Sequence, residues 1–235
     1  MQPMLTRLCD EMNTRLTGLG SDLSLLGLRL VLAYEFGEAG LEKLRGENWF
    51  AHVQDAFPWP FNLVPAEVSW ALATWTELAA AALLVLGLAT RFAAFSLLIL
   101  TGVAIASVHW PDQWSSLAEL WQGYAITDKG HGNFKLPLLF AVMLWPLFFM
   151  GAGRLSADHV ITRLTLHRHS ARDPRAYDPV AVALAFVVFG MPLAQVMPVL
   201  GYGLVAAGAG YGLLLLRVRS RADSASSQTS PIPES

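Results

Sequence analysis

Three carboxylates, Glu35, Glu38 and Glu77, stand inside stretches otherwise fit only for an apolar environment, and they are where chemistry in this chain is to be sought. The run Leu23 to Lys43 (LSLLGLRLVLAYEFGEAGLEK) is long enough to cross a bilayer, at about 20 residues for a roughly 30 Å hydrocarbon core. It carries Arg29, Glu35 and Glu38, with Glu42 and Lys43 at its end. An unpaired charge near a helix centre costs about 2.5–3.5 kcal/mol of insertion free energy, so these groups must face protein or water. An ionisable residue in such a place is a functional-site hypothesis by default. At 100° per residue Glu35, Glu38 and Glu42 fall within about 60° of one another, and Arg29 lies on a different face. Glu77 stands near the middle of the next apolar run, 69–88, His109 closes the third, and His131 and Lys135 precede or enter the fourth.

The chemistry open to this set is limited and specific. A buried carboxylate must be paired, protonated or bound to a metal. Arg29 is expected to pair with Glu77 or Glu35 as a structural ion pair. Glu35, Glu38, Glu77, His109, His131 and Lys135 are expected to form one polar site inside the bundle, opening outward. No catalytic residue is assigned. His109, His131 and Glu38 are the candidates for a metal, since imidazole and carboxylate are common metal ligands, with Met191 and Met197 as softer ones. Lys43 and Lys135 lie near the headgroups, where such side chains also snorkel. His159, His167 and His169 fall on a basic stretch and read as solvated.

The elements that must position these residues follow from composition. Of 235 residues 54% are hydrophobic and only 14% charged. Soluble domains are nearer a quarter charged, so an all-α polytopic membrane protein is expected. No basic, aromatic surface for nucleic acid is present. The single cysteine, Cys9, rules out an intrachain disulfide or a CxxC pair. Residues 1–20 lack an apolar core with an A-x-A site and place Met4, Leu5, Leu8, Met12 and Leu16 at helical spacing. They read as an amphipathic segment on the membrane surface, ahead of an uncleaved signal anchor.

Four spans, 23–43, 69–88, 92–108 and 134–150, make a four-helix domain over 21–160. The turn GLATR, with Gly87 ending one helix and Arg91 opening the next, joins the second span to the third. Trp-rich loops 44–67 and 110–133 lie on the opposite side, the second with Trp114, Leu117, Ala118 and Trp121 on one helical face. A basic linker, 161–178, leads to an apolar block, 179–217, in which Pro192, Pro198 and Gly201 mark a reversal, and 218–235 read as a disordered Ser/Pro tail. Arg7, Arg15, Arg91, the arginines of 151–178 and Arg217, Arg219 and Arg221 fall on one side only if the apolar block crosses twice. The expectation is six crossings of a membrane with both termini cytoplasmic. Gly208 and Gly212, at four-residue spacing, suit close helix packing within the chain and leave a homo-oligomer open.

Arg29…Gly40-x-x-Lys43, followed by Glu77…Gly87-Leu88-x-Thr90-Arg91, resembles the DoxX family of small four-helix membrane proteins over roughly residues 22–160. The stretches AYEFGEAGLEK, ATWTELAAAALLVLGLATRF and GAGRLSADHVI are similar to its HvfX-like branch, whose members accompany clusters for secreted copper-binding modified peptides, the bufferins. The resemblance implies a membrane accessory in maturation or export of such a peptide, or in copper handling, with that peptide and its maturation proteins as partners. More distant relatives imply the alternative of a subunit of a quinone-linked oxidoreductase with a redox partner. Copper and quinone are thus the cofactors in view. A small-solute transporter is a third reading, against which the lack of an inverted repeat counts. No haem-ligand pair at matched depth and no flavin or nicotinamide fingerprint is present, so electrons in the second reading come from a partner.

Overall fold

A computed structural model describes residues 4–165 and 179–228, and it is all helical, with no strand among the described residues. In chain order the helices are α1 (Met4–Arg45), α2 (Ala66–Leu86), α3 (Thr90–Ala104), α4 (Leu117–Leu120), α5 (Lys135–Met150), α6 (Ala157–Thr165), α7 (Pro179–Val196) and α8 (Pro198–Gln228). A π-helical turn, Ile105–His109, extends α3. The chain forms two compact units, 1–169 and 170–235, a division that falls inside the basic stretch between α6 and α7.

Within the first unit, α1 packs along α2 and α3 along α5. In a bilayer the apolar side chains gain little by leaving lipid for one another, so close backbone approach and dispersion do the packing. The sequence supplies the small residues for it. Gly37 on α1 meets Ala81 on α2, and Gly40 meets Leu78 and Glu77. A Cβ on Gly37 would touch Ala81, one on Gly40 would come within 2.9 Å of Leu78 Cγ, and one on Gly87 would strike Arg29. These pairings run antiparallel. Leu32, Leu84, Leu97, Leu98, Leu144 and Leu147 are fully buried and form the core.

Four helices, Ala66–Leu86, Thr90–His109, Pro179–Val196 and Pro198–Val218, are long and apolar enough to cross a membrane. The six-crossing expectation also counts α1 and α5. By length and composition alone these fall outside that set, α1 carrying its charges and α5 spanning only 16 residues, about 24 Å. The α7–α8 unit is a helical hairpin reversing at Pro198. Gly201 lies against Ala194 and Gly208 against the Ala183 carbonyl and Phe186, so the small-residue stripe is used inside the hairpin.

Three stretches differ in secondary structure from the expectation. From Met4 the segment before the first span runs into it without a break, as one helix, α1, of 42 residues, about 63 Å. Gly18 and Gly20 cost about 1 kcal/mol each in a helix, and no proline interrupts the stretch. The tail expected from 218 is helical as far as Gln228, consistent with a run of Arg, Ala and Ser free of Gly and Pro. The interfacial helix expected in 110–133 is one short turn, α4, and leaves Trp114 outside it. His167 and His169 lie outside the described residues.

Candidate functional site

The two ends of the bundle each hold buried charge. At the first end α2 stops at Gly87, which adopts φ +63°, and the Leu88 N–H returns to the Leu83 carbonyl (2.9 Å), a left-handed C-cap that favours glycine. Arg29 of α1 is 1% exposed and lies against this cap, so near that a Cβ on Gly87 would fall 1.8 Å from its Nη1. Its Nη2 donates to the Leu155 carbonyl at 2.6 Å. Nε and Nη1 have no partner among the described residues. Asp158 then closes the knot. Its Oδ1 accepts the Ala89 N–H (2.8 Å) and its Oδ2 the Thr90 N–H (3.0 Å), capping α3 from a remote helix, and its own N–H donates to the Gly87 carbonyl (2.9 Å). Arg91 Nη1 donates to the Phe148 and Phe149 carbonyls at the end of α5. Asp22 of α1 accepts the Arg154 N–H and lies 3.4 Å from its Nε.

The second end is built differently. Gly40 is buried against Leu78 and Glu77, and that approach delivers Lys43, one turn on, to α2. Lys43 Nζ donates to both Glu77 carboxylate oxygens at 2.9 Å. The side chains are 18% and 7% exposed, so the pair is largely shielded. It lines a cavity of about 670 Å³ between α2 and α3, otherwise walled mostly by apolar and aromatic groups. Trp49, Phe50 and Phe57 from the 46–65 segment close over it, Phe50 meeting Phe57 and Trp70 edge-on at 5.2 and 5.0 Å. Gln54 ties that segment together through the Val64 carbonyl.

His109 lines the same cavity. It ends the π-helical turn, a feature often found at functional sites, where the Trp110 N–H reaches back to the Ile105 carbonyl (2.7 Å). His109 Nδ1–H donates to Asn133 Oδ1 (2.7 Å), and the Asn133 N–H donates to the His109 carbonyl (3.0 Å). That tautomer leaves Nε2 as an acceptor.

The expected six-residue site divides. Glu77 and His109 line one cavity and Lys43 joins them. Glu38 does not: it is exposed on the opposite face of α1, in a groove with Glu42 and Arg45, while Glu35 is half-buried and lines neither. The acidic stripe of α1 thus points away from α2. His131 sits half-buried in the loop before α5, and Lys135 Nζ lies 5.2 Å from the Tyr124 ring centre, a cation–π contact rather than a place in the cavity. Arg29 pairs with neither Glu77 nor Glu35, because Lys43 holds Glu77 and the Leu155 carbonyl holds Arg29. His109, His131 and Glu38 are not one ligand set: among the described residues no group of three or more His, Cys, Asp or Glu could hold a metal ion. Lys43 and Asn133 are the residues sequence reasoning left out of the site. The signal for Lys43 was present, a lone cation following a small residue at the level of Glu77 on an antiparallel neighbour.

Comparison with known proteins identifies the lineage. The DoxX family model matches residues 24–110. An uncharacterized protein of Haemophilus influenzae is 46% identical over 150 residues, which is 64% of this chain and 91% of that relative. The chain belongs to the DoxX family. It is a DoxX-family multi-pass membrane protein, and the matched segment contains Arg29, Gly40, Lys43, Glu77, the Gly87–Arg91 turn and His109. The second end, with its ion pair, its histidine and every residue that lines the cavity, therefore lies inside the family match, and of the groups named there only Asn133 falls outside it. No solved structure matches the chain.

Proposed function

We propose that the cavity at the second end binds the head of a membrane quinone and that this DoxX protein serves as the membrane subunit of a quinone-linked oxidoreductase. The observation that carries this reading is the Lys43–Glu77 pair opening, with His109, onto a largely apolar cavity of about 670 Å³. Pockets of this kind, apolar with a few convergent polar groups, suit small ligands. Lys43 has three N–H donors, two committed to Glu77, and the third is free to donate to a ring carbonyl. His109 Nε2 accepts from a ring hydroxyl, and Glu77 is placed to hold a proton. Aromatic side chains sandwich the ring. Electrons reach the site from a partner subunit. The protein sits in the bacterial inner membrane with both termini cytoplasmic, in keeping with the arginine placement, so the cavity end faces outward.

The copper reading, an accessory role in maturation or export of a copper-binding peptide, draws on the likeness to the HvfX-like branch. The described residues offer it no three-ligand group. The test is quenching of tryptophan fluorescence by decylubiquinone in nanodiscs, since Trp49 lines the cavity. Saturable quenching is expected, weakened at least about tenfold in Lys43→Gln and in His109→Leu, a loss of roughly 1.4 kcal/mol. No saturable quenching, or variants equal to the parent, overturns the reading. Copper retained one-to-one after dialysis and lost in His109→Leu supports the copper role instead.

A further inference from the structure

The cavity does not end at its own walls. On the outer side of α2 and α3 lies a second depression of about 550 Å³, floored by Ala79, Ala80 and Ala93. Leu72, Thr76, Phe92 and Ser96 line both the cavity and this groove. The two spaces therefore adjoin along one seam, with Thr76 and Ser96 the polar residues of the shared lining. Leu72, Trp75 and Phe92 flank the groove and are 58%, 62% and 68% exposed, facing where lipid would be. The α2–α3 seam is also packed more sparsely than α1–α2 or α3–α5.

A ligand that was polar throughout would have no use for an apolar groove continuous with its binding cavity. From this continuity we propose that the ligand enters sideways from the bilayer between α2 and α3, and that its aliphatic tail lies in the Leu72–Trp75–Phe92 groove while its head occupies the cavity. This rests on the reading of the cavity as a head-group site, and it specifies the ligand as a lipid-soluble molecule with a tail longer than the cavity can hold. The small side chains at 71, 79 and 93 leave room for such a chain, and the large ones beside them cover it.

The test compares decylubiquinone with the same benzoquinone head lacking a tail, both expressed as mole fraction in the nanodisc lipid. The parent is expected to bind the tailed form about threefold more tightly at equal mole fraction, a gain that packing in the groove supplies because the tail leaves lipid and not water. Ala71→Phe and Ala79→Phe fill the groove at exposed positions, so folding is preserved; each should erase the preference for the tail and leave the tail-less head bound as in the parent. A photoreactive diazirine at the tail end should label the segments holding Trp75 and Phe92 and spare α1 and α5. If both filled variants keep the full preference, or labelling falls on α1 or α5, the groove is wrong while the head site stands. If the parent binds neither compound, the head-site reading fails and the groove with it.

Discussion

Arg29, buried, and Lys43, half-buried, lie on the same helix, yet the structure uses them in opposite ways. Arg29 is wedged against a helix C-terminus with its guanidinium on a main-chain carbonyl, among Gly87, Leu155, Ser156 and Asp158, and Gly87 and Asp158 are engaged in closing helix ends. Lys43 meets a side-chain carboxylate, and the pair faces a cavity. Charge at the first end substitutes for missing helical hydrogen bonds. Charge at the second end is held ready beside empty volume. The Arg29 end also borders space, an open depression of about 670 Å³ lined by Asp22, Arg91, Arg154 and Asp158, but there Arg91 and Asp158 are committed to helix ends. The Lys43–Glu77 pair instead faces a cavity walled mostly by apolar and aromatic side chains. The Arg29 end is a clasp.

The largest effect is expected at the clasp. Gly87→Ala demands a Cβ 1.8 Å from Arg29 Nη1 and 2.6 Å from Ser156 Cβ, on top of the roughly 1–2 kcal/mol that left-handed backbone costs an L-residue. The variant should fail to accumulate as monodisperse protein in detergent, whereas Gly203→Ala, where nothing lies within 4 Å, should match the parent. Parent-like yield of Gly87→Ala would show that the clasp is loose.

Next comes the ion pair. Glu77→Leu strands the Lys43 ammonium and should cost about 3–5 kcal/mol, read as a lowered melting point, while the double variant Lys43→Met/Glu77→Leu should recover most of it. Equal damage from single and double variants would mean that the two residues act separately.

Asp158→Ala should be milder. It removes the remote cap of α3 and should cost about 0.5–2 kcal/mol, with faster hydrogen exchange at Ala89 and Thr90 as the specific sign. Unchanged exchange there would remove Asp158 from the clasp.

The smallest effect lies in the loop before α5. The Ser115 hydroxyl and N–H hold the Glu119 carboxyl below the usual carboxylate range. A depressed pKa contributes order that is complete above the unfolded value, roughly 4.3, and lost as pH falls through the folded value. The protection of the 115–120 amides, measured relative to their intrinsic exchange rate at each pH, should stay constant above about pH 5 and fall only below the ordinary glutamate range. Protection already lost near neutral pH would contradict the assignment.

Much of this architecture is legible in the residues. The apolar runs place α2, α3, α5 and the hairpin, and Gly87 and Pro198 mark two of the reversals. Helical periodicity also groups Glu35, Glu38 and Glu42 on one stripe, but it cannot say which way the stripe faces, and it faces away from α2. The missing information is azimuthal. Gly40 holds part of it, because a residue without a side chain inside a span marks the face that another helix touches, and Lys43 lies one turn beyond. The partner of Arg29 is less accessible still, being a main-chain carbonyl 126 residues away, and a carbonyl carries no residue signature. Counting carboxylates therefore led to Glu77 or Glu35.

The double variant Lys43→Met/Glu77→Leu bears most directly on the central claim, that polarity at the second end serves a ligand and not the fold. Its melting point should return to near the parent's while decylubiquinone quenching stays weakened by at least about tenfold. A double variant that melts like the parent and binds the quinone equally well would contradict the claim and reduce the Lys43–Glu77 pair to a second clasp.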